Sequence, residues 1–395
     1  MKRIHHIVFG AALATAPLGI WTQAVPVLKL KPAAARLPDD FSAIISVREL
    51  TDGRVLIADA IENKVVVADF ATGTAAQVGH NGAGPGEYQV PGQLIPIGND
   101  STIMVEPRAG RWHLFHGAKL AGTMPPDHPA VVLMQRFATG ADGRGYAIRH
   151  VAFAADERAA PSTVAPESSW VMRVHRGTAK ADTLGRVKNA KRVINTTTNA
   201  RGEVTMMTML TPPFAIGDET ALFEDGWLAI VRSEPYRVDW RSPDGRVTRG
   251  PVLPWPKVKI TERDVTEYYR ARARASATVD AARAAETLRG QVELAMKMIP
   301  DVLPPIATQG PTVQGGPNVR QPGLIVLGDG RLLIRHPETP DHPTARYDVV
   351  DRRGVQVGAI ALGKAEWITA VSRKWAYIVS MDDDGLQYLS RHPWP

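Results

Sequence analysis

The sequence predicts an all-β fold: a six-bladed β-propeller of four-stranded antiparallel blades, with one α-helical insert between the fourth and fifth blades. Asp-Gly pairs recur between apolar runs, at Asp52-Gly53, Asp142-Gly143, Asp225-Gly226 and Asp329-Gly330. Asp-Gly is a strong hairpin signal because tight turns need a residue at φ > 0. Two degenerate marks, Asn99-Asp100 and Arg373-Lys374, fit the gaps, and the six marks are spaced by 47, 43, 83, 104 and 44 residues. Three of those spacings lie near the period of a four-stranded blade. Thirty-four Gly and thirty-one Pro spread along 395 residues supply turns, and 44% apolar content supplies a large core.

In chain order, residues 1–24 read as a secretory signal. Lys2 and Arg3 precede an apolar stretch, Ile7 to Trp21, and Thr22-Gln23-Ala24 offers a small residue for cleavage. The run is shorter than the ~20 residues that span a bilayer, so cleavage is favoured over anchoring, and a periplasmic or secreted protein is expected. Residues 25–395 are then one propeller domain. Val27 to Leu30 is the first apolar segment, and it is expected to pair with the last sheet and close the ring.

Gly79 to Tyr88, GHNGAGPGEY, holds four glycines and a proline in ten residues, a backbone built for turning. It reads as the crossing from the outer strand of one blade to the inner strand of the next. The stretch resembles the G-x-x-G-x-GPGEF signature of bacterial six-bladed β-propellers, NHL-repeat-like or TolB-like. Gly79, Gly82, Gly84, Pro85, Gly86 and Glu87 match, and Tyr88 stands where the family has Phe. The resemblance implies the fold and no particular substrate. Turn chemistry accounts for Glu87 and Tyr88 as structural residues.

The 83-residue gap leaves room for long loops around Ala152 to Ser169 and Lys188 to Thr198. The 104-residue gap holds the helical insert, about 261–300. Thr261 is a good N-cap with Asp264 three residues on. Val265, Tyr268, Tyr269 and Arg272 share one helical face, a break falls near Ser276, and Pro300 ends the second helix. A Pro/Gly-rich loop follows, about 301–320.

With no cysteine, disulfides, thiolate metal sites, cysteine nucleophiles and lipid-anchored cysteines are excluded. Net charge is +7, or +5 without Lys2 and Arg3, but no run of five basic residues exists. Nucleic acid is therefore not an expected partner. No G-x-S-x-G, H-E-x-x-H or Walker A motif occurs, and no catalytic residue, metal or cofactor is assigned.

Seven residues beyond each mark stand Asp59, Glu106, Arg149, Arg232, His336 and Ser380, all polar and each behind an apolar run. One reading is that polar residues mark where strands leave the core. The other is a charged central mouth that binds an anionic or zwitterionic small molecule or a peptide, enlarged by His150, Glu234 and Asp382 to Asp384. The propeller lactonases that resemble this fold use Asp, Glu and Asn around the channel for calcium. Arg149 and Arg232 in the ring argue against such a centre, because a guanidinium cannot ligate a cation. Asp382-Asp383-Asp384-Gly385 lacks EF-hand spacing and reads as a solvated turn. His113 and His116 fall on opposite faces of a strand, and the His336 to His342 spacing matches no metal motif.

These residues favour an exported, non-catalytic binding propeller, a monomer with no stable membrane span. It would recognise a protein or small anionic ligand through the mouth and the helical arm. The alternative is a hydrolase or lyase at the same mouth, with His336 as general acid or base and Asp59 or Glu106 orienting it. A third reading is a scaffold working through the arm, where Tyr268, Tyr269, Arg270, Arg272 and Arg274 supply hot-spot residue types.

Overall fold

The computed structural model of the chain describes residues 25–84, 86–98, 100–106, 111–124, 136–139, 145–151, 167–175, 181–191, 193–199, 204–210, 212–274, 281–306 and 322–395. The signal segment, Asn99, the Asp142-Gly143 mark, Ser276 and most of the Pro/Gly-rich loop lie outside the described residues.

Strand β1 (Ala35–Phe41) belongs to the last sheet. The first sheet runs β2 (Ile44–Glu49), β3 (Val55–Asp59), β4 (Lys64–Asp69), β5 (Thr74–Gln77). A short parallel pair, β6 (His80–Asn81) and β7 (Glu87–Tyr88), leads to the second sheet. That sheet is β8 (Leu94–Pro96), β9 (Ser101–Glu106), β10 (Arg111–His116) and β11 (Lys119–Met124). The third is β12 (Arg136–Thr139), β13 (Gly145–Val151), β14 (Ser168–His175) and β15 (Ala181–Lys188). A two-stranded ladder, β16 (Val193–Thr198) and β17 (Val204–Leu210), precedes the fourth sheet, β18 (Glu219–Leu222), β19 (Leu228–Ser233), β20 (Tyr236–Arg241) and β21 (Val247–Arg249). Helices α1 (Glu262–Arg274) and α2 (Ala281–Met296) follow. The fifth sheet is β22 (Leu324–Val326), β23 (Leu332–Arg335), β24 (Thr344–Val350) and β25 (Gln356–Lys364). The last contains β26 (Glu366–Val371), β27 (Trp375–Met381) and β28 (Gln387–Pro393), with β1 at its outer edge.

The first strands of these sheets touch in the cyclic order β2, β8, β12, β18, β22, β26 and back to β2. The chain is thus an all-β propeller of mainly antiparallel four-stranded sheets. Burial explains why the second strands read as unbroken apolar runs: every residue of β3 and of β23 is buried. The outermost β5 and β21 are exposed throughout.

The marks fall between the first and second strands of each sheet. The amides of Gly53, Gly226 and Gly330 donate to the carbonyls of Leu50, Phe223 and Leu327 at 3.0, 2.9 and 3.0 Å. Those glycines sit at φ 86, 82 and 88°, where a Cβ is disfavoured. Each Asp caps its own turn: Asp52 and Asp329 accept the amides of Arg54 and Arg331 at 3.0 Å.

Two expectations are corrected. Ring closure is made by β1, not by Val27 to Leu30. Leu37 and Phe41 are buried in β1 and supply its core contacts, and Pro38 is tolerated because the strand is an edge. Val27 instead makes a parallel bridge to Ala359 on β25, and its side chain is exposed. The stretch around 188–198 is not a plain loop either, since residues 193–198 pair with β17.

Gly79 to Tyr88 carries the chain from β5 to β8 as expected. Tyr88 is fully buried, and its hydroxyl accepts the Val65 amide at 2.7 Å and donates to the Val78 carbonyl at 2.8 Å. A Cβ on Gly82 would meet Glu87 Oε2 at 2.1 Å, and Glu87 Oε2 accepts the Gly84 amide at 2.7 Å. The glycines are there to let that carboxylate fold back into the turn.

The insert begins with a reciprocal cap. The Thr261 amide and hydroxyl both donate to Asp264 Oδ2 at 2.7 Å, and the Asp264 amide donates to Thr261 Oγ1 at 3.3 Å. Val265, Tyr269, Val292 and Ala295 pack with Ile260 and Leu303 into a core of the insert's own. No helix among the described residues is long and apolar enough to cross a membrane.

Tyr88→Phe keeps the ring but strands a buried amide and a buried carbonyl. It is expected to lower stability by about 1–3 kcal/mol in equilibrium denaturation, and an unchanged midpoint would show that the hydroxyl is no stitch.

Candidate functional site: the insert-bearing end of the ring

Successive connections in a four-stranded meander lie at opposite ends. The Asp-Gly turns take one end. The other end receives the second-strand exits, the Gly79 to Tyr88 crossing, the β16–β17 ladder and the helical insert. Asp59 and Glu106 close their strands, Arg232 and Ser380 stand one residue from the end, and His336 directly follows β23. Arg149, on β13, pairs with Met172 of β14, and its side chain is outside the described residues.

No hydrogen bond or ion pair joins any two of the described ring residues. Asp59 is fully buried. Its Oδ2 accepts the amides of Ser42 and Ala43 at 2.8 and 3.2 Å, and its Oδ1 those of Ile61 and Glu62 at 3.0 Å. Glu106 is equally buried. Its Oε1 accepts the Gln89 amide at 2.8 Å, and its Oε2 faces Arg111 Nη2 at 3.0 Å and His113 Nε2 at 2.9 Å. Arg111 reaches on to the Ala83 carbonyl at 3.0 Å. Arg232 donates to Asp218 at 2.7 Å, to Asp239 at 3.0 Å and to the Arg186 carbonyl at 2.7 Å. Ser380 is half-buried and opposite Glu366 and Tyr388.

These partners share a pattern that residue order alone does not reveal. Ser42 and Ala43, Gln89, Asp218 and Pro305 each lie on the chain as it crosses into the sheet whose second strand carries the ring residue. The polar position is a clasp that fixes the incoming crossing to the strand it will flank. At Ser380 the backbone does this work, through the Met381 amide to the Ala365 carbonyl at 3.0 Å.

His336 is the clasp of the fifth sheet. Its Nδ1 lies 2.6 Å from the Pro305 carbonyl and its Nε2 3.1 Å from Asp348 Oδ1. Its ring lies against Trp255 at 4.6 Å and edge-on to Tyr236 at 6.2 Å. Asp348 also accepts from the Tyr236 hydroxyl at 2.8 Å and from Gln356 Nε2 at 2.6 Å. Burial, then the Asp348 charge, pushes the Tyr236 hydroxyl well above the usual phenol range, so it remains a donor. Asp348, Tyr236, Trp255 and Pro305 carry no motif. They are brought to His336 by the pairing of β23 with β24 and by the return of the insert.

His342 is exposed, while His336 is buried against Asp348, so the two are not brought onto one centre. Among the described residues no cluster of three or more His, Asp or Glu is placed to hold a metal ion. Asp382 to Gly385 is a turn, with Asp382 Oδ1 accepting the Leu386 amide at 2.9 Å. His113 is buried and His116 exposed, on opposite faces of β10.

No protein-family model matches the chain, and no curated protein does. Among solved structures it is similar to a Bacteroides fragilis protein named as exported, at 9% identity over 94% of this chain and 95% of that one, TM-score 0.43. It is similar to the calcium-binding regucalcin of Agrobacterium tumefaciens, at 12% identity over 94% and 98%, TM-score 0.37. It is similar to virginiamycin B lyase of Staphylococcus aureus, at 9% identity over 93% and 88%, TM-score 0.35. The propeller assignment rests on the strand topology.

Burial pushes the Glu106 carboxyl up, but His113, the Gln89 amide and Arg111 outweigh it and hold it below the usual range. Burial likewise opposes Arg237 and Arg232 at Asp239, which also ends up lowered. A depressed carboxylate contributes stability above its unfolded pKa and loses it as pH falls through the folded one. Urea midpoints at about pH 7 and about pH 3 should therefore converge more in Glu106→Gln than in the wild type. An equal acid-induced drop in both would remove Glu106 as a contributor.

Proposed function

We propose that the chain is an exported, non-catalytic binding propeller that receives its partner at the insert-bearing end of the ring. The six four-stranded sheets are read as six blades of one ring, and a secretory signal, a periplasmic or secreted location and NHL-like or TolB-like kinship belong to the same reading. The observation that carries it is the saturation of that end. Asp59, Glu106, Arg232 and His336 spend their polar atoms on the chain's own crossings and on neighbouring strands, which leaves the working contacts to the arm. The arm exposes Arg263 and Arg270, paired with Asp341 and Glu267 at 3.3 and 2.6 Å, and the net charge of +7, or +5 without Lys2 and Arg3, favours an anionic partner.

One observation favours the alternative of a hydrolase or lyase: the His336–Asp348 pair at 3.1 Å has the form of an oriented general acid or base. Against it, both ring nitrogens are engaged and the side chain is buried.

The purified mature protein separates the two. A panel of anionic metabolites and acidic peptides is screened by thermal unfolding, beside a panel of esters, lactones and glycosides screened for turnover. The binding reading expects at least one ligand to stabilise the protein, by about 2.7 kcal/mol at a hundredfold excess over Kd, with no turnover. Turnover that His336→Gln abolishes would establish the enzyme instead.

A further inference from the structure

In the fourth sheet, the bonds that join β20 to β21 fix which groups of β21 face inward. The Ser242 amide donates to the Arg246 carbonyl at 2.9 Å, and the Gly250 amide donates to the Val238 carbonyl at 3.1 Å. Hydrogen-bonding direction alternates along an antiparallel strand, so Arg246, Thr248 and Gly250 turn their main-chain groups to β20. Val247 and Arg249 turn theirs away from the sheet. Every residue of β21 is exposed, Val247 at 62%. Among the described residues, no other segment bonds the outward amide and carbonyl of Val247 or Arg249. Pro251 has no amide, so this open edge ends at Arg249.

The outer edge of the next sheet shows what such an edge accepts. Along β25, the Leu28 amide donates to the Ala359 carbonyl at 2.8 Å, and the Ala359 amide donates to the Pro26 carbonyl at 3.0 Å. Gly358 leaves the space that Leu28 fills, since a Cβ there would meet Leu28 Cδ1 at 2.9 Å. An extended segment of the chain thus lies on the edge of the fifth sheet. The fourth sheet presents an edge of the same kind.

Charge selects what pairs there. Arg249 stands opposite Asp239, and Val247 opposite Arg241. Arg237, Asp239 and Arg241 alternate along β20, so all five share one face. The carboxylates in reach are already taken. Asp239 faces Arg237 Nε at 2.8 Å and Arg232 Nε at 3.0 Å, and Asp218 faces Arg232 Nη1 at 2.7 Å. Among the described residues, Arg241 and Arg249 have no carboxylate partner. Arg232, Arg237, Arg241 and Arg249 against Asp218 and Asp239 leave an excess of two positive charges. The equally exposed β5, Thr74–Gln77, carries no charge and lacks this signal.

We propose that the β21 edge is a docking site for an extended acidic segment of a partner protein, which adds to the fourth sheet as a fifth, antiparallel strand. Val247 and Arg249 each exchange an amide and a carbonyl with one residue of that segment. In antiparallel pairing, the residue opposite Arg249 comes two before the residue opposite Val247, and both point to the arginine face. The segment therefore reads acid, any residue, apolar. Its carboxylate meets Arg249, and its apolar side chain meets Val247. The ladder is short, so charge supplies much of the specificity. The site lies on the flank of the ring and is independent of what binds the insert-bearing end.

The full mature chain is tested with two labelled peptides of about ten residues, a strand's length, identical except for a central Glu-Thr-Val or Lys-Thr-Val. Fluorescence anisotropy should show saturable binding of the Glu peptide only. Arg249→Glu should weaken that binding by about fivefold or more, because an attractive cross-strand pair becomes a repulsive one, and should move the preference to the Lys peptide. Val247→Pro deletes an outward amide while keeping every arginine, and should weaken the Glu peptide by a similar factor. Binding that survives Val247→Pro unchanged would reduce the face to an anion-binding patch and overturn strand addition. No binding of the Glu peptide, or no change of preference in Arg249→Glu, would overturn the site. If either variant fails to fold, amide exchange in the wild type decides. The Val247 and Arg249 amides should slow when the Glu peptide is added, and unchanged rates would contradict the proposal.

Discussion

A strand buried on both faces has to leave the core, and the polar side chain at its exit has to find partners there, since an unpaired buried polar group costs about 1–3 kcal/mol or more. In this protein that constraint does a second job. Asp59 takes the amides of Ser42 and Ala43 where the chain passes from β1 to β2, so the exit of one strand holds the junction between the last sheet and the first. Gln387 supports the same junction by accepting the Ile44 amide at 2.9 Å. Glu106, Arg232 and His336 repeat the device at other crossings with different chemistry. The first, second, fourth and fifth sheets are thereby tied to the segments that deliver the chain to them.

The helical insert is the largest of those connections and has its own core around Val265, Tyr269 and Val292. Among the described residues its attachments include Trp255, His336, the backbone bonds that pair Val258 and Ile260 with Leu303 and Asp301, the Arg263–Asp341 ion pair at 3.3 Å, and Phe214, whose ring centroid lies 6.0 Å from that of Tyr268.

Much of the fold was legible because the signals are local. Asp-Gly turns, apolar second strands and the Thr261–Asp264 cap each depend on a few neighbouring residues. Closure was not, because Val27 to Leu30 and Ala35 to Phe41 are both partly apolar and only tertiary pairing chooses between them. Arg149 stands two residues inside the end of β13, and Asp59, Glu106, Arg232, His336 and Ser380 were legible as strand exits from a fixed offset. Their partners were not, since Ser42 is 17 residues from Asp59 and Pro305 is 31 from His336. Asp348 lies in an ordinary strand sequence, and only the pairing of β23 with β24 sets it beside His336.

Asp59 offers the most direct measurement, because it has four amide partners and no place in the insert. Asp59→Asn removes one acceptor oxygen and the charge. If the ring residues are clasps, equilibrium denaturation should show a loss of about 2–4 kcal/mol, with affinity for any ligand found at the insert-bearing end unchanged. Wild-type stability together with lost ligand binding would make the ring a binding mouth and contradict the account.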